Sequence, residues 1–218
     1  MKGYVNMKNY IIVIPLQPAG SLKKCHYSNP DNDPLLDSDF ETSFPVLIPM
    51  ANSVEKGEKI RVTTVITYYQ DDIHPNCANN LKLFEGELNV LSQRLGFEYG
   101  ELCKIKTSYE ETPEKQKKPF KDLINSFEKG DSIYADITFG NKPTPIVLQM
   151  ALNYIYSASP DSFVEAVVYG DMVRSPDKPT EQKIYDVSSL FFINSVVGRL
   201  ALVRPEDPLA FVNGVLDL

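Results

Sequence analysis

Tryptophan is absent from the 218 residues, and histidine and cysteine are scarce, with two and three copies. His26, His74, Cys25, Cys77 and Cys103 are scattered and include no CxxC pair. They leave little from which to build a zinc site and no disulfide framework. No metal and no cofactor are expected, and a reducing compartment, the cytoplasm, is. No run approaches the ~20 apolar residues of a membrane span. Residues 1–10 are polar and lack the apolar centre of a signal peptide. Positive charge is in deficit: 22 Lys and Arg stand against 29 Asp and Glu, for a formal net charge of −7. That argues against a non-specific coat on duplex DNA, but not against a small anion held in a local site. Neither GxxxxGK(S/T) nor GxGxxG occurs, which disfavours a P-loop hydrolase and a dinucleotide binder of the usual kind. With no repeat, low-complexity tract or linker, residues 1–218 read as one domain. At this length folding buries roughly 70% of the unfolded surface, so one core suffices.

What is present alternates between buried strands and amphipathic helices. Residues 9–15 are a short apolar run ended by Pro15, a buried strand. Residues 16–43, rich in Pro, Asn, Asp and Ser, read as a long loop, and 44–50, with Pro45 and Pro49, as an irregular, partly buried segment. The β-branched run 60–68 predicts a strand. Leu81, Phe84, Leu88, Leu91 and Leu95 predict a helix over 79–95, closed by Gly96. A short strand follows at 102–107. Thr112, Pro113 and Glu114 mark a helix start. Phe120, Leu123, Ile124 and Phe127 then face inward, and Pro119 sets the first turn apart. The charged run 114–118 reads as a solvated face of that helix. Strands are expected at 132–138, 163–169 and 183–187, and turns at 139–143 and 174–180. Helices are expected at 144–157, 191–202 and 208–216, the first with Ile146, Met150, Ala151, Tyr154 and Ile155 inward. The expected fold is α/β and Rossmann-like: a mostly parallel sheet of five to six strands, helices on both faces, and a late antiparallel strand.

Residues 134–145 concentrate the chemistry. A strand brings Asp136 and Thr138 to its carboxyl end, where open parallel sheets bind ligands. Gly140 lets the backbone come close, Asn141 can donate to and accept from a base or ribose, and Lys142 adds charge. A helix capped by Thr144, with Pro145 in its first turn, should offer unpaired N–H groups over 141–146 to a phosphate. The plainer reading is that Asp136 and Thr138 tie the turn together and Lys142 is solvated. Elsewhere, Tyr68 and Tyr69 could stack adenine or pack a sheet edge. His74 could rim a pocket, and Tyr169, Gly170 and Asp171 should end a strand beside the motif. Cys25 and His26, being adjacent, read as ordinary loop residues rather than a nucleophile pair.

The run Asp136-Ile137-Thr138-Phe139-Gly140-Asn141-Lys142-Pro143 resembles the Asp-aliphatic-Thr-x-Gly-x-basic motif of CARF domains, the CRISPR-associated Rossmann fold. The resemblance implies a homodimeric sensor of cyclic oligoadenylate, the second messenger of type III CRISPR defence. The specific part is about ten residues long. It implies ligand contacts at Asp136, Thr138, Phe139, Gly140, Asn141, Lys142, Pro143 and Thr144, and at Gly20 and Ser21 in the loop after the first strand; the stacking argument adds Tyr68 as a candidate contact. Phe139 replaces the His of one branch and cannot act as an acid or base. The family's dimers are two-fold, which favours cyclic tetra-adenylate and leaves the hexamer open, and the apolar segment 188–202 suits such an interface. An effector domain would lie outside these residues or be absent. Two alternatives stay open. One is a metal-independent ring nuclease, with Asp136 as base and Ser21, Thr138 or Lys142 assisting. The other is a plain Rossmann-like protein-interaction module.

Overall fold

The computed structural model describes residues 7–110, 112–171 and 182–216. The chain opens with β1 (Lys8–Val13), the short β2 (Tyr27–Ser28), α1 (Leu47–Ser53), β3 (Lys59–Tyr69) and β4 (Asp72–Ile73). It continues through α2 (Pro75–Leu95), β5 (Glu98–Tyr99), β6 (Cys103–Ser108), α3 (Pro113–Ser126) and β7 (Ser132–Asp136). It ends with α4 (Pro143–Ala158), β8 (Phe163–Asp171), β9 (Gln182–Asp186), α5 (Ser188–Val203) and α6 (Pro208–Leu216). The expected turn at 174–180 lies outside the described residues.

β1 is apolar on both faces because it is central: Tyr10 to Val13 are fully buried, with β3 and β7 parallel on either side. In β3, Thr63, Thr64 and Val65 pair with both β1 and β6, so those strands lie on opposite edges of β3. The long strands therefore run β6-β3-β1-β7-β8-β9, parallel except for β9. This is the 3-2-1-4-5-6 order of a doubly wound sheet, with its switch point between β1 and β7. The sheet has nine strands, more than the five to six expected. The additions are β2, β4 and β5, two residues each and too short to leave a pattern. Lys104 and Lys106 on β6 guard the open edge. α1 packs with α2 and α3 with α4, and right-handed crossovers put the two pairs on opposite faces. No helix among the described residues is long and apolar enough to cross a membrane.

Three sequence expectations are corrected. The segment at 44–50 is not irregular: Phe44 to Met50 are buried, and Leu47 begins α1. Pro49 falls in that helix's first turn, where no N–H is needed. Pro119 does not divide α3, which runs unbroken with Pro119 buried. Along α4 the buried face is Leu148, Ala151, Leu152 and Ile155, whereas Ile146, Met150 and Tyr154 are exposed. α4 is apolar on two sides, so spacing alone could not choose between them.

Candidate functional site

The register sets Ile12 of β1 beside Asp136, the last residue of β7, so both strands end together at the switch point. Asp136 is fully buried. One carboxylate oxygen accepts the Thr138 N–H at 2.8 Å, and the other accepts the Val46 N–H at 3.0 Å. Val46 is the N-cap of α1 and brings no side-chain cap of its own, so a carboxylate from β7 does that work across 90 residues. Burial pushes the Asp136 carboxyl up to about 6 in spite of these bonds. Thr138 Oγ1 accepts the Gly170 N–H at 2.8 Å and so ties the turn to β8. Phe139 is buried edge-on against Phe44, with ring centroids 6.3 Å apart. Pro45 lies so close to Gly170 that a Cβ there would stand 2.5 Å from it. Phe44, Pro45 and Val46 thus cover the ends of β7 and β8. The side chains of Asp136 and Phe139, two of the expected ligand contacts, both point inward, which leaves the backbone as their means of reaching a ligand. For Asp136 and Thr138 the plainer reading, tying the turn, fits the geometry.

Beyond Phe139 the picture changes. Gly140 has φ +113°, and a Cβ on it would come within 2.8 Å of Val13 Cγ1 and 3.3 Å of Thr144 Cβ. The turn therefore presses directly onto the end of β1. Among the described residues, the backbone N–H groups of Phe139, Gly140, Asn141 and Lys142 have no acceptor. The Asn141 side chain is half-buried and makes no hydrogen bond, and Lys142 is exposed without an ion pair. Successive free N–H groups in a tight turn form an anion-binding concavity. Its place differs from the expectation. Pro143 and Pro145 have no N–H to give, and Thr144, which is not the cap, donates its own to Asn141 O at 2.9 Å. The donors precede α4 rather than opening it.

Gly20 and Ser21 occupy an exposed turn after β1. Gly20 has φ +79°, and Ser21 donates both its hydroxyl, at 2.7 Å, and its N–H, at 3.1 Å, to Pro18 O. Sequence reading missed how this segment is held. Asn76 donates to Leu16 O at 3.1 Å, and Asn80 to Pro15 O at 2.9 Å and Gln17 O at 3.0 Å. The available signal was two asparagines one turn apart at a helix start. The helix itself begins at Pro75, a turn earlier than the leucine spacing predicts.

Tyr68 lies at the carboxyl end of β3 with Lys106 Nζ 4.6 Å from its ring centroid. It lines an open cleft of about 400 Å³ together with Lys106, Ser108, Lys115 and Lys118. A crevice of only about 20 Å³, room for a single water, shares Thr107, Ser108, Lys115 and Pro119 with it and reaches Pro143 and Thr144. Nearby, His74 stacks on Tyr109 at 5.3 Å, and Tyr69 meets Tyr109 edge-on at 6.1 Å. Burial raises the Cys25 thiol above its ordinary value, which makes it a poor nucleophile beside an exposed His26. Among the described residues no three His, Cys, Asp or Glu side chains gather as a metal would require. No protein-family model matches the chain, and no curated protein is significantly similar to it.

Proposed function

We propose that this chain is a sensor domain for cyclic oligoadenylate, with cyclic tetra-adenylate as ligand, and that it acts as a two-fold homodimer. The carrying observation is the row of unclaimed N–H groups from Phe139 to Lys142, beside the unpaired Lys142 ammonium, at the switch point of a doubly wound sheet. The resemblance of residues 136–143 to the CARF motif supplies the identity of the anion. A protein of net charge −7 does not draw a polyanion from a distance, so short-range donors of this kind must supply the affinity. Cleavage by Asp136 as base has no support, because its carboxylate is out of solvent reach and already accepts two N–H bonds. The dimer reading draws on the apolar side chains that α4 and α5 leave exposed, Ile146, Met150 and Tyr154 on one, Leu190, Phe192 and Val197 on the other.

Titration calorimetry with cyclic tetra-adenylate tests this. A charge-assisted hydrogen bond to phosphate contributes about 1.5–3 kcal/mol, and a dimer loses two of them. Lys142→Ala is therefore expected to weaken binding about a hundred-fold or more, with the melting temperature of the free protein unchanged. Lys117→Ala, on the exposed face of α3, should stay within about three-fold of the parent. Equal affinity for both variants places the phosphate site elsewhere and sinks the reading.

A further inference from the structure

We propose that the wide cleft at the carboxyl end of β3 and β6 seats a purine base of the ligand, stacked on Tyr68. The inference rests on the sensor reading and deepens it. Lys106 holds one face of the Tyr68 ring with only its ammonium at 4.6 Å. The tip of a flexible lysine on an edge strand is easily displaced, whereas a packed side chain is not. The open cleft beside it, about 400 Å³, has room for a flat bicyclic ring.

Its charges suit a neutral group rather than a second phosphate. Lys115 pairs with Glu110 and Lys118 with Asp122, while Asp71 and Glu114 also line the walls. The uncharged polar side chains of the lining, besides Tyr68, are Gln70, Thr107 and Ser108. Ser108 Oγ accepts the Glu110 N–H at 3.1 Å, which leaves its own hydrogen free for a ring nitrogen. Thr107 and Ser108 of this wall also face Pro143 and Thr144 across a tight crevice, so a nucleotide with its base on Tyr68 would carry its phosphate over the surface toward the free N–H row. A purine covers more of the tyrosine face than a pyrimidine, and stacking is what this wall offers. Base binding moves Lys106 off the ring and frees its charge for the ligand's backbone.

The test is photolabelling of the intact protein with 8-azidoadenosine 5′-monophosphate, read by peptide mass spectrometry, alongside calorimetry of Tyr68 variants with cyclic tetra-adenylate. Label is expected on Tyr68, Lys106 or their neighbours in the cleft, and excess adenosine monophosphate should suppress it. Tyr68→Leu should weaken cyclic tetra-adenylate about ten-fold or more, while Tyr68→Phe, which keeps the ring, should bind like the parent. Label elsewhere, or a Tyr68→Leu affinity within about three-fold of the parent, overturns the base seat. If Lys142→Ala still abolishes binding in that case, the sensor reading survives without it. If the parent protein binds neither nucleotide, both fall together.

Discussion

Asp136 joins β7, α1 and the turn leading to α4 through two oxygens and no solvent. Loss of hydration outweighs the hydrogen bonds it accepts, so its folded value of about 6 stands above the ordinary 3.8. The folded state therefore holds the proton more tightly than the unfolded one. The resulting stabilisation is complete below the unfolded value and disappears as pH rises through 6. Acidifying from pH 7 to pH 5 should add about 1 kcal/mol from this group. Asp136→Asn removes the titration, so urea unfolding at pH 5, 6 and 7 should show a pH slope shallower by that amount. Parallel slopes for parent and variant would mean that Asp136 does not titrate in this window. The Cys25 and Cys77 thiols are no rival source of reactivity, since burial raises Cys25 and pushes Cys77 up to about 11.

At the scale of elements, two glycines with positive φ make a controlled comparison. Gly20 stands in open space, so Gly20→Ala meets only the backbone penalty, about 1 kcal/mol. Gly140 adds the collision with fully buried Val13, and Gly140→Ala should cost about 2 kcal/mol or more. Chemical denaturation of the two variants measures the gap, and equal losses would show that the turn can lift off β1 freely. The same elements show what was legible in the sequence. The runs that became β1, β3 and β7 were readable because strands buried on both sides leave a continuous unbroken run, β8 because its valines cluster, and α2 because its leucines leave only one apolar face. α1 was not readable, since its cap comes from Asp136, and Pro49 within it and Pro45 just before it look like loop punctuation. At the site, the sequence marked Gly140, Asn141 and Lys142 but reversed the roles around them. Whether a polar side chain faces inward, as Asp136 does, depends on partners distant in the chain.

Across the whole molecule, exposed apolar surface is concentrated rather than scattered. Of eighteen large hydrophobic side chains exposed among the described residues, three are on α4, six on α5 and three on α6. Stable interfaces between protein copies take about 800 Å² from each partner, and apolar side chains gathered on two or three helices suit that need. Light scattering at micromolar concentration should give twice the 24.6 kDa of the chain. The double variant Met150→Asp, Val197→Asp should give a monomer with an intact circular-dichroism spectrum. A parent protein that runs as a monomer, or a double variant that stays dimeric, puts the contact elsewhere.

Phe44, Pro45 and Val46 have a thermodynamic consequence. They close the ends of β7 and β8, so a ring resting on residues 139–142 lies on the domain rather than in it, and one copy shields only one side. The remaining face meets water or a second copy. Under the proposed function, shared burial of this kind would couple two equilibria: ligand occupancy would draw protomers together, and protomer concentration would set the apparent affinity for ligand. A shallow floor would then make recognition of the small molecule inseparable from self-association.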